Sequence, residues 1–546
     1  MRFRLTKYHL FGAVVIFFGG ALLGSTIESG FSKRDLTEQL RKLERAYGIL
    51  VTQYVEEVPA EQLTETAIKG MLTDLDPHST YIDASELKEI REGFQGSFGG
   101  IGVWFEVVSD TPRVSSVISD GPSEAAGIRA GDRIVLVDDS TAVGPASRRI
   151  QYRLKGPIGS DVKITVQRHN VPEPIDFEIT RGRIPLYSID TAYMISDRTG
   201  YVRINRFAAT TYNEFMEKVR MLKERGMQRI IVDFRSNPGG VMDPAIRISD
   251  EFLGADYTIV ETRGRIPAVQ QKDTADGGDT LESMPAIVLV DQNSASSSEI
   301  VAGALQDNDR ALIVGQRTFG KALVQQQFPL DDGSVLHLTV ARYYTPAGRL
   351  IQTPYHGADM RDYLEGKLEV SNDITSLPDS VKFQTLHDRT VVGSGGVYPD
   401  EVVRPDSTSP LYQPLVRTVL DPGHDVRFVR DLFDNDRDEW MKKWGERRSE
   451  FESSFDPGPL VAEFWKSLEA RGIEIGPGKR FSEADRRAAN PTIGAFIKAR
   501  VAQQLYGTEA WYPLTRQFDP EVNKAMELWP EAEALARYHG WTGYTQ

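Results

Sequence analysis

Residues 285–303 read PAIVLVDQNSASSSEIVAG, from Pro285 to Gly303. The apolar run Ala286–Val290 has the length of a strand buried on both faces. From Ser298 onward the pattern becomes that of an amphipathic helix. Between them lies a cluster of hydroxyls: of the six residues Asn293 to Ser298, four are serine. A serine between a strand end and a helix start meets unpaired backbone N–H groups and a partial positive charge. That suits acyl transfer, although a serine there can equally be a plain helix N-cap.

The same rhythm extends outward. GYVRINRF (from Gly200) and QRIIVDFR read as strands, and TTYNEFMEKVRMLKERG between them reads as a helix with a Thr cap and Gly226 at its end. SNPGG closes the second strand. VMDPAIRISDEFLG is a helix, YTIVETRG and RALIVGQ are strands, and FPLDDGSVLHLTVARYYT is a hairpin. Repeated strand–helix–strand units predict an α/β layer on a largely parallel sheet. Chemistry in such sheets collects at the carboxyl ends of strands, where SNPGG and the serine cluster both fall.

Four further regions flank this core. Residues 1–33 hold Arg2, Arg4 and Lys7 and then an uncharged stretch, Tyr8 to Ile27. Twenty helical residues span about 30 Å, a bilayer's hydrocarbon thickness. Positive charge before the run predicts a cytoplasmic tip, a single-pass anchor through residues 8–27, and export of the remainder. The rival is a signal peptide cleaved near Gly19 and Ala21, which would make the protein secreted; the run is long for that. Residues 34–96 read as helical, with Leu36, Leu40, Leu43 and Tyr47 on one stripe. Residues 97–182 carry short strands, a glycine turn and a short helix at Ser147–Leu154, a compact and mostly β domain. Residues 183–411 are the α/β core. Residues 412–546 are helical, charged and rich in tryptophan, and suit oligomerisation, partner binding or covering of the core.

Composition narrows the function classes. With 546 residues the chain exceeds one hydrophobic core, and 40% hydrophobic with 26% charged residues is the make-up of a folded protein. The net charge of −14 argues against a nucleic-acid partner. Cysteine is absent, which excludes disulfides, a thiol nucleophile and thiolate metal sites. No metal or cofactor is called for.

A serine nucleophile needs a base and donors for the developing oxyanion. Of eight histidines, His337 in an apolar strand and His356 in a loop are the candidates weighed from the α/β region, and there is no G-x-S-x-G elbow. The alternative base is Lys321, in GQRTFGKALVQ. A lysine takes a proton only when neutral, so its pKa must fall well below about 10.4, as desolvation near Phe319 and Leu323 would achieve.

The stretch NSASSSEIVAGALQDNDRALIVGQRTFGKALVQ resembles the active-site region of the carboxy-terminal processing, or tail-specific, serine proteases. The resemblance covers roughly residues 36–405. It includes MLTDLDPHSTYID, IVDFRSNPGG and VVGSGGVYPDEVV, and GGIGVWFE resembles the peptide-binding loop of a PDZ domain. It implies an α/β protease core of ClpP/crotonase-like architecture, with an inserted PDZ domain and helical N- and C-terminal regions. It further implies Ser296 as nucleophile, Lys321 as base and Gln325 as the residue orienting that lysine. The Ser297 N–H and an amide of Gly239 or Gly240 would form the oxyanion hole. The loop Gly99, Gly100, Ile101 and Gly102, with the strand from Val103, would hold a substrate's C-terminus by β-augmentation. Ser297 stands where the family mostly has alanine. The implied partners are protein or peptide substrates with accessible C-termini. A homo-oligomer is left open, and a non-catalytic anchored PDZ scaffold is the alternative. In a straight strand Lys321 and Gln325 would lie about 13 Å apart, whereas one helical turn would bring their Cβ atoms to about 5–6 Å. The segment is therefore expected to coil or bend.

Overall fold

The computed structural model describes residues 33–544 except 109, 119, 145–146, 170, 356–359, 362–363, 365–376 and 405–408. The expected membrane span at residues 8–27 and the loop histidine His356 lie outside the described residues. Among the described residues no helix is long and apolar enough to cross a membrane.

Two compact units divide the chain at Leu75/Asp76. The first contains the helices Lys33–Gln53 and Ala60–Leu72. Tyr47 Oη donates to the Ala60 carbonyl at 2.9 Å. The stripe of Leu36, Leu40 and Leu43 read from the sequence is solvent-exposed.

The second unit is built on a six-stranded sheet. Its order is Ile189–Ser196, Thr199–Ile204, Arg229–Asp233, Ala286–Val290, Leu312–Gly315 and Glu401–Val402. The first pair is antiparallel and the remaining four pairings are parallel. Alternate residues serve opposite faces. Ile230, Val232, Val288 and Ile313 pack in one core with residues of the helices Thr211–Glu224, Met242–Asp250 and Ser297–Asp307. Ile231, Ile287, Leu289, Leu312 and Val314 pack with Val522, Trp529 and Leu535 of the tail helices Pro520–Glu527 and Trp529–Tyr538 and with Leu528 between them. Burial on both faces explains the unbroken apolar runs. Part of the region 412–546 therefore covers the sheet, one of the roles its composition suited.

The parallel order follows the sequence reading, with two differences. Ile189–Ser196, to which the sequence reading assigns no element, extends the sheet antiparallel. Thr210 occupies the N-cap position without a side-chain cap bond; its hydroxyl donates instead to Glu214 Oε1 at 2.6 Å.

A second sheet, antiparallel, holds Thr80–Ile82, Val335–Tyr344, Thr258–Gly264 and Gln271–Thr274, with Leu323–Pro329 also paired to Val335–Tyr344. The mostly β region enters and leaves through a two-stranded stem, Ser97–Gly100 against Gly182–Pro185. Inside it, the strands Val103–Val108, Thr111–Val117, Arg133–Val137, Asp161–Gln167 and Ile175–Thr180 surround a core that includes Ile134, Ile150, Ile164 and Val166. Its helix is Ser147–Leu154, as expected. The rest of the tail packs its own core of Phe451, Phe464, Ile493 and Val501. Its long helix His424–Trp444 reaches the mostly β domain through ion pairs Asp434–Arg113 and Arg430–Glu106.

Candidate active site

The serine cluster is stitched to the SNPGG loop. Asp291, just past the strand Ala286–Val290, accepts the N–H groups of Asn293 (2.9 Å), Ser294 (3.0 Å) and Ser236 (2.9 Å). Ser294 Oγ donates to the Phe234 carbonyl at 2.9 Å, and Ser298 Oγ to the Asn237 carbonyl at 3.1 Å. Ser297 Oγ lies within reach of the carbonyls of Gly240 (3.2 Å) and Val241 (3.1 Å). Three of the four serines thus hold a loop. Ser296 instead lines a cavity of about 540 Å³, shared with Gly239, Gly240, Lys321, Gln325, His337 and Tyr343.

Ser296 is the N-cap residue of the helix Ser297–Asp307, with φ 52° and ψ −112°. A non-glycine residue in that conformation costs about 1–3 kcal/mol and persists only where its surroundings fix it. Glu299, fully buried one turn on, does the fixing. Its Oε2 accepts the N–H of Ser296 at 2.9 Å and of Lys321 at 2.8 Å. Its Oε1 accepts Thr318 Oγ1 at 2.5 Å and the Gly320 N–H at 2.6 Å. Burial pushes the Glu299 carboxyl up, and these four donors pull against that rise. Tyr343 closes the other side, with its hydroxyl 3.2 Å from the Ser296 carbonyl and 2.9 Å from that of Lys321. One carboxylate and one phenol therefore hold the backbones of both residues.

Lys321 Nζ makes no hydrogen bond or ion pair among the described residues. Burial lowers its pKa, while the more distant charges of Glu299 and Asp76 raise it back in part. His78 is driven down to about 4 by burial and by Lys321, despite Asp76. His337 is lowered by the same two causes. Both imidazoles are thus held neutral beside the lysine.

Gln325 lies in the cavity, but in a strand rather than a helical turn. The bend expected after Lys321 takes the form of a bulge between Val324 and Gln325. The Gln325 amide Nε2 donates to the His78 carbonyl at 2.6 Å and not to a group of Lys321. Asp76 pins this neighbourhood. Its carboxylate accepts the N–H groups of His78 and Ser79, both at 2.9 Å, and Thr339 Oγ1 at 3.1 Å.

The two candidate oxyanion glycines differ. The Gly239 N–H is donated to Asn237 Oδ1 at 2.9 Å. Among the described residues the N–H groups of Gly240 and Ser297 have no hydrogen-bond partner. Both glycines have positive φ, 89° and 145°. A Cβ on Gly239 would lie 2.7 Å from Ser296 Cβ, and one on Gly240 would lie 2.0 Å from the Phe207 carbonyl oxygen, so no side chain fits at either. Asp233 anchors the strand before this loop. Burial alone would raise its carboxyl, but Arg235 and Arg203 hold it at about 2.

In the mostly β domain, Ile101 and Val103 line a groove of about 430 Å³ with Phe98, Phe105, Ile118 and Leu154. Gly99 and Gly100 belong to the stem strand, and the Gly99 carbonyl accepts the Gly156 N–H at 3.0 Å. Gly99 therefore serves the stem rather than the groove. Gly102, at φ 80°, makes the turn into Val103–Val108.

Comparison with known proteins fits this arrangement. Residues 198–360 match peptidase family S41, residues 99–179 a PDZ domain, and residues 24–86 the N-terminal domain of the activating protease CtpB. The carboxy-terminal-processing protease of Bartonella bacilliformis is 36% identical over 325 residues, covering 59% of this chain and 74% of that one. The chain belongs to the carboxy-terminal-processing proteases of family S41. A probable CtpA-like serine protease of Staphylococcus haemolyticus is 33% identical, over 62% of this chain and 68% of its own. Among solved structures, the photosystem II D1 C-terminal processing protease shares 30% identity over 57% of this chain and 89% of its own, with a TM-score of 0.33. This S41 protease thus has a mixed α/β core carrying a PDZ domain.

Within this candidate site, sequence reasoning missed Tyr343, Asp76 and the pinning roles of Ser294, Ser297 and Ser298. Glu299 had a signal: a serine followed three residues later by glutamate before an apolar run is a capping-box pattern. Tyr343 had none, because an aromatic residue in a hairpin strand reads as core.

Proposed function

We propose that this chain is a serine endopeptidase acting through a Ser296–Lys321 dyad, with its PDZ groove capturing substrate C-termini. The observation that carries the reading is that Ser296 and a buried, partner-free Lys321 Nζ line one cavity, their backbones held by the same carboxylate. Lys321 in its neutral form takes the proton of Ser296 Oγ as that oxygen attacks the scissile carbonyl. The resulting ammonium then delivers the proton to the leaving amine. The Gly240 and Ser297 N–H groups receive the oxyanion, each donor being worth about 3–4 kcal/mol in the transition state. Water hydrolyses the acyl-enzyme by the reverse proton path. Gln325 acts through its side-chain carbonyl, while its amide nitrogen donates to the His78 carbonyl. The substrate's terminal carboxylate meets the amides of Ile101 and Gly102, and its chain adds to Val103–Val108. An anchor at residues 8–27 would place this chemistry outside the cytoplasm, on exported proteins. Domain limits at 33/34, 96/97, 182/183 and 411/412 belong to the same proposal.

The test is cleavage of casein and of an unstructured peptide by the full-length protein and its variants. Ser296→Ala and Lys321→Ala are expected to lose about a thousandfold or more in kcat while remaining folded. Binding without fragments from the wild type would favour a peptide-binding scaffold. His337 lines the same cavity, so a serine–histidine pair is the second reading. It predicts an inactive His337→Gln and an active Lys321→Ala.

A further inference from the structure

The tail does more than cover the sheet. Arg235 stands between the strand Arg229–Asp233 and the loop Ser236–Gly240, and its side chain is 12% exposed. On its own strand, Asp233 accepts Arg235 Nη2 at 2.7 Å. From the other side Asp519 takes both ends of the guanidinium, Nη1 at 2.8 Å and Nη2 at 2.7 Å, and Glu521 takes Nη1 at 3.2 Å. Asp233 cannot serve Arg235 alone, because it also receives Arg203 Nη1 at 2.9 Å and Tyr201 Oη at 2.5 Å. Arg203 has a second carboxylate, Asp190, 3.4 Å from its Nε, whereas Arg235 divides Asp233 with Arg203 and draws its own second, bidentate carboxylate from Asp519 in the tail. Asp519 lies far beyond residues 198–360, the stretch that matches family S41.

From Arg235 the connection to the site is short. Its carbonyl accepts Arg203 Nη2 at 3.1 Å, and the next residue, Ser236, is held at φ 60° by Asp291. Asn237 follows: its Nδ2 donates to the Ile204 carbonyl, and its own carbonyl accepts the Ala295 N–H at 3.0 Å. Gly240 comes three residues later. A guanidinium that shifts would carry this rigid turn, and the Gly240 amide, with it. We infer that Asp519, assisted by Glu521, is a positioning residue of the active site: through Arg235 the C-terminal tail sets the aim of the oxyanion-hole amide.

The inference rests on the Ser296–Lys321 reading, and its experiment separates the two. Asp519 also caps the helix Pro520–Glu527, accepting the Val522 N–H at 3.0 Å. Asp519→Asn keeps an oxygen for that cap and removes the charge. Steady-state kinetics of full-length Asp519→Asn are expected to show kcat lowered about tenfold, with KM within about twofold. Labelling of Ser296 by a fluorophosphonate should slow in parallel, and Asp519→Glu should recover part of the loss. A tail that is merely structural would lower the melting temperature and the fraction of active enzyme, but not kcat per labelled site. A folded Asp519→Asn with wild-type kcat, or a change confined to KM, overturns the inference. If Asp519→Asn does not fold, Glu521→Gln is read in the same way. A loss of about threefold in kcat there supports the inference and a wild-type value overturns it. Ser296→Ala and Lys321→Ala run alongside: activity in either sinks the dyad itself. Inactive dyad variants beside an unaffected Asp519→Asn sink only the role given to the tail.

Discussion

At the scale of a single residue, Lys321 gives the sharpest test. Its amine is buried without a hydrogen-bonding partner, and burial lowers its pKa. In the unfolded chain it would titrate near the ordinary lysine value of about 10.4. Between the lowered folded value and that figure, the unfolded state binds a proton that the folded state does not, so stability rises with pH across the window. Below the window the folded enzyme carries the cost of a buried ammonium. Lys321→Met is therefore expected to be inactive yet more stable than wild type at pH 7, with the difference closing as pH approaches 10.5. Urea midpoints measured at several pH values check this. A wild type more stable than the variant at pH 7 would mean that the ammonium is well paired, which contradicts the site described. In the wild type, kcat/KM should rise with pH along a one-proton limb whose midpoint lies below the ordinary lysine range.

At the scale of elements, the site is two loop ends brought together by Glu299. Glu299→Gln would turn an NH2 toward two of the four donors that now meet the carboxylate. Each buried donor left without an acceptor costs about 1–3 kcal/mol, so the melting temperature should fall by about 5 °C or more. Activity should fall further than stability, because Ser296 and Lys321 lose their common reference. A circular-dichroism melt with kinetics on the same sample measures both, and an unchanged kcat would show that Tyr343 suffices. The strands, helices and parallel order of this layer were legible because buried parallel strands must be apolar throughout, as Ala286–Val290 and Arg229–Asp233 largely are. That Ser296 and Lys321 line one cavity was legible because their flanking residues form a distinctive run. Asp76, Tyr343 and Asn237 were not, since each acts across a long sequence separation and resembles a turn or core residue locally. Gln325 shows the limit of spacing arguments: of coil or bend the chain uses a bend, a bulge within a strand, and the amide it positions meets His78 rather than Lys321.

At the scale of the molecule, the tail joins parts that the linear sequence keeps separate. Its helix His424–Trp444 grips the PDZ domain through Asp434–Arg113 and Arg430–Glu106, and the helices Pro520–Glu527 and Trp529–Tyr538 cover the six-stranded sheet. The region from 412 onward offered no motif, so its composition alone could not choose between a docking module and a missing layer. The packing makes the choice for helices Pro520–Glu527 and Trp529–Tyr538. Without them Ile231, Ile287, Leu289, Leu312 and Val314 would face water. At about 1.5–3 kcal/mol for each such side chain, the loss rivals the whole net stability of a domain, about 5–15 kcal/mol. A chain ending at residue 518 is therefore expected to aggregate or to lose its cooperative unfolding transition, as read by size-exclusion chromatography and a thermal melt. Leu528→Ala in the full chain should be milder, costing about 2–5 kcal/mol through the cavity it leaves. A truncated chain that stays monodisperse and cleaves peptides at the wild-type rate would mean that the sheet tolerates an open face. The tail would then be an accessory to this protease rather than a layer of its fold.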